Sequence, residues 1–269
     1  MTTRNSRSKA IRANTCKMVD PLCYIYTPSI PVTTTFTSTG TIEWMVPSHV
    51  RSIEYLIVGG GGGGGSAFDN AGSGGGGGGI VLSGTIYVTP RQIYTVTVGA
   101  GGAGGTVVND GPDVGDARSD AKGSDGSNSV FGNIIALGGD GGFQSRNVNS
   151  KSAGSGGNAA IVPTTQAEGG SGGGGGGAGG GGGGAGGDGA NREDSNIPGV
   201  GGSGTESAFS GVNVTYGIGG DGGVAGSNSN GTIKIPNRGQ GGDGAGSLSS
   251  NTKVGGNGSS GIVILKYLV

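Results

Sequence analysis

The chain has 269 residues, 71 of them glycine, with 16 basic and 17 acidic side chains, one histidine and a formal net charge of −1. No stretch approaches the ~18 apolar residues of a membrane-spanning helix, and two cysteines are too few for a disulfide framework. Glycine at this level means either disordered spacers or a dense backbone-bonded array, because ordering each one costs roughly 0.5–1 kcal/mol more than ordering an alanine.

The first 17 residues contain Arg4, Arg7, Lys9, Arg12 and Lys17 and no acid, leaving 11 bases against 17 acids in the remainder. Such an arm suits an acidic protein surface or nucleic acid. Since no aromatic residues are interleaved, these five residues are assigned to docking on a neighbouring protein, with a solvated tail as the plain alternative. Met1 to Lys17 has no apolar core of the kind a secretory signal carries. Cys16 and Cys23 are read as reduced thiols, with a lone bridge or a contact to a partner chain as the alternatives. The arm is taken to span residues 1–31 and a glycine-rich domain residues 32–269.

Strand chemistry begins at Val32–Phe36 and continues at Thr41–Val46, Ser52–Val58, Ile80–Val88 and Ile93–Val98. These runs are rich in β-branched and aromatic residues and are bounded by Gly, Pro or Ser. Ile42/Trp44/Val46 alternate with Thr41/Glu43/Met45, and Ile93/Thr95/Thr97 with Tyr94/Val96/Val98, as in strands with one buried face. His49 sits beside Pro47 in a turn between two strands, with no triad or metal-ligand arrangement around it. The closing run, Gly261 to Leu268, is more continuously apolar, which places it centrally in a sheet. Pairing it with the early strands closes the glycine-rich excursion on a β base.

Glycine runs at Gly59–Gly65, Gly74–Gly79, Gly172–Gly177 and Gly179–Gly184 contrast with triplets of two glycines and one other residue. Those begin at Gly101, Gly138, Gly183 and Gly219. A period of three matches a polyproline-II-type helix, which makes no internal hydrogen bonds and rises about 3.1 Å per residue. Buried backbones must find partners. The expected fold is therefore all-β: a small antiparallel β-sandwich base with a bundle of polyglycine II helices, uninterrupted runs inside and triplets at the surface. The stretch Gly169 to Ala190 is too long to cross a domain of this size without reversing at least once or protruding. Asn109–Ser129, Arg146–Ser152, Asn191–Pro198 and Ser227–Arg238 are read as the turns between helices.

Chemical motifs are weak. GxGxxG matches recur only because glycine is common, without the surrounding strand, turn and helix, and GxxxxGK[ST] is absent. The Gly-Gly-Asp-Gly tetrads place Asp140, Asp188, Asp221 and Asp243 at the outward position of a triplet, where they serve solubility. Calcium ligation would require a tandem array. No cofactor, metal or enzymatic activity is expected.

Phe36, Gly40, Trp44, Val46-Pro47, the strand running into Val58-Gly59-Gly60-Gly61-Gly62, Val96 to Gly102, and Gly258 to Tyr267 together resemble the glycine-rich domain of phage tail-fibre and tail proteins and of structural proteins of large DNA viruses. The resemblance spans about residues 33–267. It implies a virion structural protein, a minor capsid or surface component located in the virion. Implied partners are other capsid or virion proteins, or the chain itself as a homo-oligomer, without membrane insertion and with nucleic acid disfavoured. The alternative is a receptor-binding adhesin or tail-fibre tip that meets a host surface receptor through its loops.

Overall fold

β-branched and aromatic runs between glycines form strands here because no other element suits them. The computed structural model describes residues 29–106, 121–146, 177–194, 196–249 and 251–269. The chain divides into two units, Met1–Ile30 and Pro31–Val269. The second carries the thirteen strands of the described residues: β1 (Pro31–Phe36), β2 (Gly40–Met45), β3 (Ser52–Val58), β4 (Ala67–Phe68), β5 (Val81–Tyr87), β6 (Ile93–Val98), β7 (Ser129–Phe131), β8 (Ile134–Ala136), β9 (Ser145–Arg146), β10 (Thr205–Ser207), β11 (Val214–Tyr216), β12 (Thr252–Lys253) and β13 (Ile262–Leu268). There is no helix among the described residues, so the fold is all-β.

Two four-stranded antiparallel sheets form the base, in the orders β1-β13-β3-β5 and β2-β6-β7-β8. β13 is central as expected, paired with β1 from Phe36↔Val263 to Pro31↔Leu268 and with β3 from Val58↔Ile262. Its unbroken apolar run has a physical cause, since both of its faces are covered. Val263 and Leu265 join Ile53, Ile57, Val96 and Phe131 in a cluster shared by the two sheets. Ile262 and Ile264 pack on the opposite side with Leu56, Val58 and Tyr216, beneath the β10–β11 hairpin. Trp44 bridges the sheets, its ring 6.1 Å from Phe131 and 5.7 Å from Tyr267.

The alternation expected in β6 holds, with Val96 and Val98 buried. In β2 it holds only towards one end: Val46 is fully buried and Trp44 partly so, but Ile42 is 50% exposed. β2 is an edge strand with a neighbour on one side only, so its row leaves the core. β7 and β8 are joined by Gly132-Asn133, with Gly132 at φ 60°. At three residues each, they carry too little periodicity to stand out in the sequence.

The glycine segments all leave the base at one end: β3 runs into Gly59, β6 into Gly99, Gly79-Ile80 leads into β5 and Gly261 into β13. Gly59–Gly65 is entirely buried and bonds with a strict period of three. Gly60 and Gly63 donate to Ser127 and Ser124, Gly61 and Gly64 to Ser259 and Gly256, and Gly62 and Gly65 to Gly77 and Gly74, all at 2.8–2.9 Å. The same run accepts from Gly139 and Gly142, from Gly102 and Gly105, and from Gly242 and Ala245. One run thus meets six neighbouring segments, donating to three and accepting from three. Gly74–Gly79 is likewise buried and donates in the same rhythm to residues 140–143, 180–183 and 239–242.

Triplet segments lie further out, with Ala100, Ala103 and Thr106 exposed at every third position and Asp221 exposed between buried glycine pairs. The reversal expected within Gly169 to Ala190 falls at Gly184, whose N–H bonds the carbonyl of Gly187 at 2.8 Å; residues 169–176 lie outside the described residues. One expected turn is corrected. Residues 121–127, read as part of the loop Asn109–Ser129, form a bundle segment that serves as acceptor for Gly60 and Gly63. Their Ser and Asp side chains made them resemble a loop, but Gly123 and Gly126 are the positions that face inward, each with a neighbouring carbonyl where a Cβ would stand. Asn191–Pro198 and Ser227–Arg238 are largely exposed connections. Residues 109–120, 147–152 and 195 of the expected turns lie outside the described residues.

Glycine is obligatory where segments touch. A Cβ on Gly63 would stand 2.0 Å from the carbonyl oxygen of Ala103, and one on Gly62 2.0 Å from that of Asp140. Gly63→Ala is expected to destabilise the domain by about 3 kcal/mol or more. Ala103→Ser, on an exposed position of residues 100–106, is expected to change stability by less than about 0.5 kcal/mol. Chemical denaturation of both variants measures the contrast.

Candidate interaction surfaces

The five basic residues assigned to partner docking, Arg4, Arg7, Lys9, Arg12 and Lys17, lie outside the described residues, as do Cys16 and Cys23. His49 is exposed in a turn closed by the Val50 N–H on the Pro47 carbonyl at 3.1 Å. No group of three or more His, Cys, Asp or Glu side chains is placed to hold a metal ion among the described residues.

The two base sheets differ in how they are covered. The β1-β13-β3-β5 sheet is packed on both faces, whereas the outer face of β2-β6-β7-β8 is open. Cross-strand register puts Met45 beside Ile93, Glu43 beside Thr95, and Thr41, Thr97, Val130 and Ile135 in one row across the four strands. Met45 is 60% exposed, Ile93 57% and Ile135 46%. Thr41 and Thr97 share a hydroxyl hydrogen bond of 2.9 Å. Glu43 is the one ionisable group in these rows, so the face is predominantly threonine and apolar. Period-two alternation had already set Met45 opposite Trp44 in β2. The contribution of β7 and β8 was hidden by their shortness.

At the rim of the bundle, side chains replace missing backbone partners. A segment with no neighbour on one side has N–H groups without a carbonyl to meet, and each must find another acceptor. Asp125 Oδ1 accepts from the Gly141 N–H at 2.7 Å and Asn128 Oδ1 from the Gly138 N–H at 2.9 Å. Donors and acceptors are both three residues apart, matching the period of the bundle. Asn257 Oδ1 accepts from Gly104 at 2.8 Å, and Asp221 Oδ1 from Gly201 at 2.7 Å. The Asp221 N–H in turn donates to Asp243 Oδ1 at 2.9 Å. Asp243 also accepts from the Thr232 hydroxyl and lies 2.5 Å from Lys234 Nζ, largely shielded from water.

The expectation that these aspartates merely solubilise a triplet is therefore corrected for Asp221 and Asp243, which tie adjacent segments together. Asp188 is exposed and Asp140 half-buried. Burial would raise the Asp125 carboxyl, but the Gly141 N–H and the Lys122 ammonium outweigh that and hold it below its ordinary value. Lys122 is itself 3.1 Å from Asp125 and lies over the Phe143 ring, 5.3 Å from its centroid. Aspartate or asparagine at three-residue spacing beside glycines is the sequence signal for such clamps; their partners are not legible without the packing.

Lys234 faces inward to its carboxylate, whereas Ile233 and Ile235 on either side of it are 78% and 56% exposed. Val200, beside the bundle glycines, and Val212, in the β10–β11 connection, are also largely exposed. These residues lie in or beside the connections rather than in the glycine runs.

Among protein families, the glycine-rich domain matches residues 37–268, from just before β2 to the end of β13. The chain belongs to the glycine-rich domain family. A search of curated proteins found no match. The match to the glycine-rich domain begins after β1, yet β1 pairs with β13 along its whole length, so the folded sheet extends beyond the family boundary.

Removing the Asp243 carboxylate leaves the Asp221 N–H and the Lys234 ammonium without their acceptor. Asp243→Ala is expected to lower stability by about 1–3 kcal/mol, and Asp243→Asn, which keeps an acceptor oxygen, by less. Thermal or urea unfolding of the two variants distinguishes them.

Proposed function

We propose that this protein is a structural component of a virus particle, a minor capsid or surface protein that docks on its neighbours through the N-terminal arm and the open sheet face. In this reading the base is a small β-sandwich and the glycine segments are polyglycine II helices in a hexagonal bundle. The three-residue bonding period and the six neighbours of Gly59–Gly65 support that description. The observation that carries the functional reading is the outer face of β2-β6-β7-β8, where Met45, Ile93 and Ile135 stand exposed around a single carboxylate. A face of this kind is favourable once covered, as in the apolar centre of a protein interface. The basic residues Arg4, Arg7, Lys9, Arg12 and Lys17 add a charged tether suited to an acidic neighbour. Neighbouring virion proteins and further copies of the chain are the partners this favours. No enzymatic role or cofactor is proposed.

The second reading, an adhesin or fibre tip, is favoured by one observation: Ile233, Ile235 and Val200 are exposed in the connections of the bundle. Contact with a host receptor would then run through the connections.

Deletion of residues 1–31 removes part of β1 with the arm, so deletion of residues 1–28 is the cleaner test. That truncation and Met45→Glu/Ile93→Glu are each expected to leave the domain folded and to reduce its recovery with particles on a density gradient by at least about tenfold, equivalent to ~1.4 kcal/mol. Full recovery of both variants would count against the docking reading. Ile233→Ser/Ile235→Ser should leave recovery unchanged; a loss of host-cell binding by that variant would instead favour the adhesin.

A further inference from the structure

The bundle and the base are held by different chemistry. In the base, apolar side chains such as Ile53, Leu56, Phe131 and Leu265 are fully buried, and none of them titrates. In the bundle, glycines contribute no side-chain contacts, so a rim segment keeps its place through backbone bonds and a small number of side-chain acceptors. Asp125, Asp221 and Asp243 are carboxylates among them. Asp125 joins residues 121–128 to 138–141, Asp221 joins 217–223 to 201, and Asp243 joins 239–245 to both 221 and 234. Asp221 and Asp243 act in series: the residue whose carboxylate holds Gly201 is itself held through its N–H by Asp243.

We propose that the Asp125 clamp makes its edge of the glycine bundle acid-labile, so that acidification frees residues 138–141 locally while the β base stays folded. Hydrogen bonds to an ionised acceptor are roughly twice as strong as neutral ones, and protonation of the acceptor removes that advantage. The charged group facing the clamp sets the sign. Asp125 faces Lys122 of its own segment and the Gly141 N–H. The Lys122 ammonium keeps its charge in acid, so it remains while the Asp125 carboxylate is lost. For Asp125 the folded-state value lies below the ordinary 3.8. A depressed carboxyl contributes stability that is fully present above the unfolded value and is lost as pH falls through the folded one. The transition therefore belongs below about pH 4, near the ordinary range of aspartate.

Amide hydrogen exchange of the full chain, corrected for intrinsic rates and compared at about pH 6.5 and about pH 3, tests this directly. Protection at Gly141 should fall by about twofold or more in acid, while β3 and β13 amides keep theirs. In Asp125→Asn, where the amide oxygen still accepts but does not titrate, protection at Gly141 should no longer depend on pH. Equal protection of Gly141 in the wild-type chain at the two pH values would overturn the proposal. So would an acid loss in Asp125→Asn as large as in the wild type.

Discussion

The structure depends on how closely two polypeptide backbones approach when neither carries a Cβ. At Gly62, Gly63 and Gly64 the space a Cβ would occupy already holds the carbonyl oxygen of a neighbouring segment, 2.0 Å away. That proximity lets one run bond six neighbours with short N–H···O contacts, and it excludes every other residue type. A conventional core gains its cohesion from apolar area removed from water. Here the cohesion is directional, carried by backbone groups that cannot be left without partners once water is excluded.

Directional cohesion needs an anchor, because ordering so many glycines is entropically costly. The base provides it by gathering the ends. β3, β5, β6 and β13 deliver their flanking glycines to the same end of the two sheets, so several segments begin side by side and loop closure is confined to the far end. β13 is pivotal. It pairs with β1 and β3, fills the shared core through Val263 and Leu265, and packs the β10–β11 hairpin through Ile262 and Ile264.

The same logic explains the two kinds of surface. Where the glycine lattice ends, N–H groups face outward, and Asp125, Asn128, Asp221, Asp243 and Asn257 supply acceptors. Polar side chains at the rim are thus part of the cohesion and not an inert coat. Where the sheet ends, backbone groups are already paired and the exposed face is side chain alone. There the outer rows of β2 and β6 keep Met45 and Ile93 in water, which makes that face suited to a partner.

Much of this was legible in the residues themselves. Runs such as Ser52–Val58 and Ile93–Val98 announce strands because β-branched and aromatic side chains favour the pleated backbone locally. The continuous apolar run of β13 betrays two covered faces, and two glycines in every three betray a backbone that repeats by threes. Other features depended on neighbours distant in sequence. Ile42 is exposed because β2 ends a sheet, residues 121–127 join the bundle although they read as a loop, and Asp243 bonds Asp221 and Lys234 instead of facing water. A glycine segment carries no side chain to specify which segment lies beside it, so its sequence determines the conformation and its capacity to pack. The tertiary structure decides the partners, because lateral identity comes only from the order in which the β base delivers the chain and from the few rim side chains long enough to reach across.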